Sequence, residues 1–312
     1  MSSKLEVVDK KRCASCGAAE GDDVQLRTCT ACKSVQYCGV TCQRNHRPKH
    51  KKACKKRAAE LRDEILFKQP ESTHRGDCPI CCVPMPIEDG KATSYTCCSK
   101  YICSGCCFTD LSRQRRENIR VQTCPFCRQP AGSGSDEATD KNFMKRVAAN
   151  DPAALGQLGV EHFRKGEYNG AFKYLTKAAE LGDADAHFNL SVMYMKGEGV
   201  EKDEKKKIYH LEEAAIAGHP DARHNLAFCE EGNGRVDRAV KHLIIAANLG
   251  HENSMKSLKE CYKDGDVSKE DFAAALRAHH VAVNAMKSEN RESASKAVEK
   301  AEKLRREMES TS

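Results

Sequence analysis

The residues with the most chemistry in this sequence are its cysteines. Nineteen occur in 312 residues, and all but Cys229 and Cys261 precede residue 130. The first group runs Cys13-x2-Cys16, then Cys29-x2-Cys32-x5-Cys38-x3-Cys42-x7-His50-x3-Cys54. The second runs Cys78-Pro79-Ile80-Cys81-Cys82, Cys97-Cys98, Cys103-x2-Cys106-Cys107 and Cys124-Pro125-Phe126-Cys127-Arg128. Each C-x2-C brings two sulfurs to one tetrahedral ion at about 2.3 Å. His50 and Cys54, four residues apart, share one face of a helix and can reach the same ion. The eight ligands of the first group fill two sites and leave no position for water, which points to structure rather than catalysis.

In a secreted protein this density would imply disulfides, and in a reducing compartment it implies metal. The N-terminus, MSSKLEVVDKKR, lacks the apolar core of a signal peptide, and no apolar run approaches the ~18–20 residues of a membrane helix. Both observations favour a cytoplasmic or nuclear protein with zinc as its cofactor, about four ions in all. The Cys-rich part is poor in large apolar side chains, so metal would supply the stability that a core cannot. The net charge of +7 needs the same correction: the first 130 residues carry 24 Lys and Arg against 14 Asp and Glu. Fifteen ligating thiolates and four divalent ions would bring that part to about +3 and the chain to about zero. Arg44, Arg47, Lys49, Lys51, Lys52, Lys55, Lys56 and Arg57 occur without an acid in residues 43–59. No aromatic is interleaved to stack on bases, so this run reads as a solvated helix face beside anionic zinc clusters, not as a nucleic-acid patch.

The elements that position these ligands follow from the composition along the chain. Residues 13–54 and 78–128 are the two cysteine modules. Between them, residues 55–75 read as a short helical linker, with Leu61, Ile65 and Leu66 on one face and Pro70 stopping it. The 16 residues between Cys107 and Cys124 have room for a short helix, with Phe108 and Leu111 available for packing. A polar linker, AGSGSDEATD, spans 131–140, and residues 141–282 are Ala-rich and helical. Ala178-Ala179…Gly182 recurs as Ala214-Ala215…Gly218 and Ala246-Ala247…Gly250, at offsets of 36 and 32. Such periods mark stacked helix pairs, with alanines at close contacts and glycine ending a helix. Four pairs are expected, at 151–182, 183–218, 219–250 and, degenerate, 251–282. His187, His224, His279 and His280 read as surface or packing residues, and Cys229 and Cys261 as small hydrophobes. Residues 283–312 read as a charged helical or disordered tail, solvated and without assigned function.

The first module resembles the MYND zinc finger at all eight ligand positions, including Gln36-Tyr37-Cys38 and Cys42-Gln43. The resemblance implies interleaved sites: Cys13, Cys16, Cys38 and Cys42 on one zinc, and Cys29, Cys32, His50 and Cys54 on the other. Gln43 remains where relatives grip proline-rich peptides, but Arg47 stands at the position of their tryptophan. The second module looks like a RING finger. Lys100 occupies the place of the usual histidine and has no lone pair, so an all-cysteine version is implied, with Cys78, Cys81, Cys103 and Cys106 on one ion. Cys97, Cys98, Cys124 and Cys127 would hold the other. Adjacent cysteines on one ion strain the backbone, and Cys82 or Cys107 stands as an alternative for one of them. In RING-type ubiquitin ligases such a finger positions a ubiquitin-conjugating enzyme. By resemblance Ile80, Pro125 and Phe126 would supply its apolar contact and Arg128 the bridge to ubiquitin. The helix pairs resemble SEL-like repeats, relatives of the tetratricopeptide solenoids, which implies a surface for protein partners.

The expected fold is two zinc-stabilised fingers followed by an all-α solenoid. No phosphate-cradling glycine loop in strand–helix context, no H-E-x-x-H and no supported Ser/His/Asp grouping occurs, which argues against a self-contained metabolic enzyme. The expected function is a zinc-binding adaptor for protein partners, with a RING-type ubiquitin ligase as the alternative.

Overall fold

The computed structural model describes residues 11–88, 90–130 and 137–310. They divide into two compact units, Met1–Lys68 and Gln69–Ser312.

In the first unit, strand β1 (Arg27–Thr28) pairs antiparallel with β2 (Gln36–Tyr37), and helix α1 runs from Val40 to Leu66. Among the described residues here, the buried apolar side chains are Cys13, Cys29, Cys32, Tyr37 and Leu66. Two non-cysteine side chains are too few for a conventional core. The linker helix expected at 55–75 is not a separate element, since α1 passes unbroken through residue 54 with Pro48 inside it. Proline removes one backbone donor and is normally a helix breaker. Here ligand residues on both sides of it, Cys42 before and His50 and Cys54 after, lie in the same helix. Ile65 stays 54% exposed while Leu66 is 1% exposed, so the expected Leu61–Ile65–Leu66 face is not a common buried stripe.

The second unit begins with a hairpin, β3 (Ala92–Tyr95) against β4 (Lys100–Cys103), followed by α2 (Ser104–Arg116). Residues 131–136 of the expected polar linker lie outside the described residues, and its end already belongs to α3 (Glu137–Ala148). Four helix pairs follow: α4 (Pro152–Arg164) with α5 (Tyr168–Glu180), and α6 (Ala184–Lys196) with α7 (Glu204–Ile216). Then come α8 (Pro220–Gly232) with α9 (Val236–Asn248), and α10 (Glu252–Asp264) with α11 (Lys269–Ala285). The alanine pairs at 178–179, 214–215 and 246–247 are all buried. Gly182, Gly218 and Gly250 end their helices at φ +88°, +90° and +91°. Each is followed by a side-chain cap: Asp183 accepts from the Ala186 amide, His219 from Ala222 and His251 from Ser254. A histidine ring thus does in two repeats what aspartate does in another.

The second finger is bolted to the solenoid. Residues 69–75 cross its edge: Asn248 donates to Gln69 Oε1 at 3.1 Å, and the His74 amide donates to the Gly218 carbonyl at 3.2 Å. Asp185, on α6, accepts from His74 at 3.1 Å and Arg75 at 3.3 Å, while Arg75 also lies over the Tyr101 ring. Arg146 of α3 donates to Ser99 Oγ at 2.8 Å, and Gln157 of α4 bonds Ser94. A Cβ on Gly218 would meet the Ser72 carbonyl oxygen at 2.8 Å, and its φ is left-handed. Gly218→Ala is therefore expected to lower stability by about 1–3 kcal/mol through strain and the displaced strap. Thermal melting of the full chain checks this, with Gly234→Ala as the left-handed control that meets nothing.

The C-terminal segment departs from the expectation of a solvated tail. Helix α12 (Glu289–Ser310) packs its first half on α2, burying Arg291 and Ala294 to 7% and 4% exposure. The contact uses small residues and hydrogen bonds rather than large apolar side chains, so no hydrophobic periodicity announces it. The second half of α12, with Leu304 and Met308 exposed, is solvated as expected.

Candidate metal centres

Every C-x2-C in the first finger and at the outer ends of the second sits in the same local turn. The Cys13 amide donates to the Ala18 carbonyl and the Gly17 amide returns to that of Cys13; the same pair of bonds recurs at Cys78/Val83 with Cys82, and at Cys124/Gln129 with Arg128. At Cys29 the partner is Val35, with the Lys33 amide returning to Cys29. The turn puts the residue after the second cysteine in the left-handed region: Gly17, Lys33, Cys82 and Arg128 have φ +77°, +57°, +54° and +56°. Ser99, after Cys98, does the same at +52°. Four non-glycine residues holding this conformation mean that the turn is stabilised by more than backbone preference.

The turns gather four tetrads, each with ligand atoms within 4.8 Å of one another. They are Cys13, Cys16, Cys38 and Cys42; Cys29, Cys32, His50 and Cys54; Cys78, Cys81, Cys103 and Cys106; and Cys97, Cys98, Cys124 and Cys127. The edge of a tetrahedron around zinc with bonds of about 2.3 Å is about 3.8 Å. The sulfur pairs match that edge: Cys16–Cys38 at 3.6 Å, Cys29–Cys54 at 3.8 Å, Cys78–Cys106 and Cys81–Cys103 at 3.8 Å, and Cys98–Cys124 at 3.7 Å. Cys32 Sγ lies 3.2 Å from His50 Nε2. All are far beyond a disulfide bond, and every cysteine is free. The residues therefore fit zinc, about four ions. In both fingers the two tetrads alternate along the chain, so each finger is braced across its length. Cys82 and Cys107 stay outside the tetrads; Cys82 holds the left-handed turn position, and Cys107 Sγ meets Tyr95 Oη at 3.7 Å.

Polar groups around the sulfurs favour thiolate. Backbone amides of Cys16 and Cys38 hold the Cys13 thiol down at about 6. Burial alone would raise Cys32, but the Ser34 hydroxyl, 3.1 Å from its sulfur, helps bring it to about 6. The companions go the other way: bonds shared with Cys42 and Cys16 push Cys38 up to about 12, and burial takes Cys54 and Cys98 to about 11. Four sulfurs this close cannot all ionise without a cation among them. Behind His50, the His46 ring stacks at 5.6 Å and lies 3.0 Å from Tyr37 Oη, an orienting chain that ligand spacing alone does not reveal.

The other candidate residues lie as follows. Ile80 and Phe126 project from turns of the two different tetrads of the second finger and are 44% and 38% exposed; Pro125 is half-buried and Arg128 exposed. Lys100 is exposed in β4 and is not a member of either tetrad, though its backbone amide is bonded to the Cys98 sulfur. Gln43 and Arg47 are both exposed on α1. His187 Nδ1 meets His210 Nδ1 at 2.9 Å, His224 bonds Ser257 at 3.2 Å, and His279 is buried near Glu252. Cys229 and Cys261 are half-buried in α8 and α10.

A fifth grouping, His74, Asp185 and His219, is also close enough for a metal, but its geometry argues otherwise. The two imidazole rings are stacked, 4.3 Å apart and 1° from parallel. A ligated metal must lie near the plane of each ring, and parallel stacked planes offer no such point at about 2.0–2.1 Å from both nitrogens. Asp185 instead joins the two rings and Arg75. Burial would raise its carboxyl, but hydrogen bonds from His219 and His74 with the charges of His74 and Arg75 hold it well below the usual range.

Comparison with known proteins places the modules. Residues 13–54 match the MYND finger family, and 153–183, 184–219 and 220–251 each match the Sel1 repeat. Among curated proteins, HcpC of Helicobacter pylori is 40% identical over 60 residues, covering 19% of this chain and 21% of HcpC. DAP3-binding cell death enhancer 1 of Mus musculus is 26% identical over 165 residues, covering 40% of this chain and 32% of that protein. The chain thus spans about a fifth to a third of the length of these relatives. Among solved structures, the Sel1 repeat protein from Oxalobacter formigenes aligns at 29% identity and a TM-score of 0.41, over 48% of this chain and 66% of that one. The chain carries a MYND finger at its N-terminus and a Sel1 repeat solenoid after the second finger.

Proposed function

We propose that this chain, built from a MYND finger, a second cross-braced finger and Sel1 repeats, is a zinc-stabilised adaptor that presents protein-binding surfaces in a reducing compartment, cytoplasm or nucleus. The observation that carries the reading is the closure of the four tetrads. Each supplies four protein donors, and a site with four protein donors has no open position at which to activate water or a substrate. Zinc then stiffens the surfaces around it, and MYND fingers and Sel1 repeats are both protein-interaction modules. Gln43 and the exposed face of α1 are the part of the first finger that a peptide, including a proline-rich one, would meet.

A specific observation favours a second reading, ubiquitin ligation by a RING-like second finger. Ile80 and Phe126 are large apolar side chains left exposed on the two outer turns of an alternating pair of tetrads, with Arg128 exposed beside the last ligand. A positioning ligase needs such a platform and no chemistry of its own. Incubation of the zinc-loaded chain with ubiquitin, activating enzyme and a panel of conjugating enzymes separates the two. The adaptor reading expects no chains with any conjugating enzyme. Ubiquitin chains lost on Ile80→Ala or Arg128→Ala would overturn it in favour of the ligase.

A further inference from the structure

Arg291 lies near the start of α12, and its guanidinium reaches into the second finger. Nη1 donates to the Pro84 carbonyl at 2.8 Å and to that of Met286; Nη2 donates to the Val83 carbonyl at 3.2 Å and to Cys81 Sγ at 3.7 Å. Val83 and Pro84 close the turn that carries Cys78 and Cys81, and the Val83 carbonyl also accepts from the Cys78 amide at 2.9 Å. One side chain from the far end of the chain therefore holds both the turn and a sulfur of one tetrad. The approach is close. A Cβ on Gly105, next to Cys106 of the same tetrad, would meet the Arg291 backbone nitrogen at 2.6 Å. One turn further along α12, Lys91 donates to Ser295 Oγ at 3.1 Å.

A guanidinium on a residue only 7% exposed is costly unless an anion compensates it. The hydrogen bonds of Arg291 end on carbonyl oxygens and a sulfur, not on a carboxylate. Four thiolates around a divalent ion carry a net charge of −2, which would supply that anion. An N–H bond to a ligating sulfur draws charge from it and fixes its orientation.

We infer that Arg291 is a positioning residue of the site formed by Cys78, Cys81, Cys103 and Cys106: the C-terminal helix completes the outer shell of that site alone. This rests on the zinc ligand sets assigned above. Zinc held by this tetrad and docking of α12 are then one coupled equilibrium, so that loss of the ion frees the helix and loss of the helix loosens the ion.

The test is zinc exchange from the full-length, zinc-loaded chain into a chromogenic chelator. Arg291→Met, which keeps the aliphatic stem, is expected to make one of four ions at least tenfold faster to leave, with three unchanged; Arg291→Lys, keeping the charge but not the fork, should fall between. Ser295→Ala removes only the Lys91 bond one turn further along, leaves the Arg291 guanidinium and the docked helix in place, and is expected to leave exchange close to wild type. In the cobalt-substituted chain, Arg291→Met should shift the thiolate-to-metal charge-transfer band of about a quarter of the ions. Wild-type exchange rates in Arg291→Met, or equal acceleration by Ser295→Ala, would overturn the inference. A wild-type chain that binds fewer than four ions would overturn the ligand sets themselves, a failure visible before any substitution is made.

Discussion

Cys32→Ser is expected to unfold the N-terminal unit and to lower bound zinc by at least one ion per chain. Cys32 is 0% exposed, sits against His50 and belongs to the tetrad that ties the β1–β2 hairpin to α1. The energetics leave little alternative support. Tyr37 and Leu66, the two buried non-cysteine apolar side chains of the described unit, contribute about 1.5–3 kcal/mol each. A structural zinc contributes about 10–16 kcal/mol on folding. Metal therefore outweighs the apolar core in this unit, and serine is a poor zinc ligand. Because the two tetrads alternate along the chain, loss of one should loosen the other. Elemental analysis with limited proteolysis of residues 11–68 decides the matter: four ions and wild-type protease resistance in the variant would show that Cys32 is not a ligand.

Mild acid is expected to destabilise the solenoid before it strips the zinc. Burial lowers His187, His210, His219, His224, His242 and His279, with His210 at about 4 and His242 at about 3. In the unfolded chain these groups titrate near 6.5. Between the two values the unfolded state binds protons that the folded state refuses, so their contribution is complete above pH 6.5 and is lost as the pH falls below it. Asp183 acts in the opposite sense: burial raises it to about 6, so the folded state takes up a proton there first. The deeply buried His219 and His242 against this single carboxyl leave a slope of about 1.4 kcal/mol per pH unit. The other four histidines steepen it. Between pH 7 and 5.5 the melting temperature should fall by about 3–8 °C while the zinc content holds. His210→Phe, which preserves the stack on Tyr194 but cannot titrate, should flatten the dependence. A melting temperature that is level or rises across that window would contradict the assignment of these rings as neutral packing groups.

The parts of this molecule written in short-range spacing can be read directly. C-x2-C turns are local, and the alanine–glycine period repeats three times, so ligand groups and helix pairs announce themselves. The pairing of Cys97 with Cys98 is ambiguous in the sequence because backbone strain cannot be weighed from spacing. The left-handed turn that Cys82 occupies resolves it. The helical character of residues 55–66 is legible, but its continuity with the ligand-bearing turns in one helix α1 is not, because Pro48 obscures that unity. Nothing local sets His219 and His251 apart from the other histidines; their role as helix caps shows only when they are aligned with Asp183 at the same repeat position. Arg291 is invisible for a different reason. An arginine in a charged segment has the pattern of a solvated helix, and its partners in the finger lie more than 200 residues earlier.

The strap of residues 69–75 has an effect on how this protein can diversify. It fastens to the edge of the array at fixed places, with Gln69 on α9, His74 beside Gly218 and Arg75 on Asp185 of α6. Free-standing arrays of helix pairs lengthen by duplicating a unit. An added unit between α7 and α8 would move one fastening point from the other by about 10 Å, the spacing of packed helices, and the strap could not span both. New length can therefore be gained only beyond the fastened stretch, so the register between array and finger is inherited as a unit.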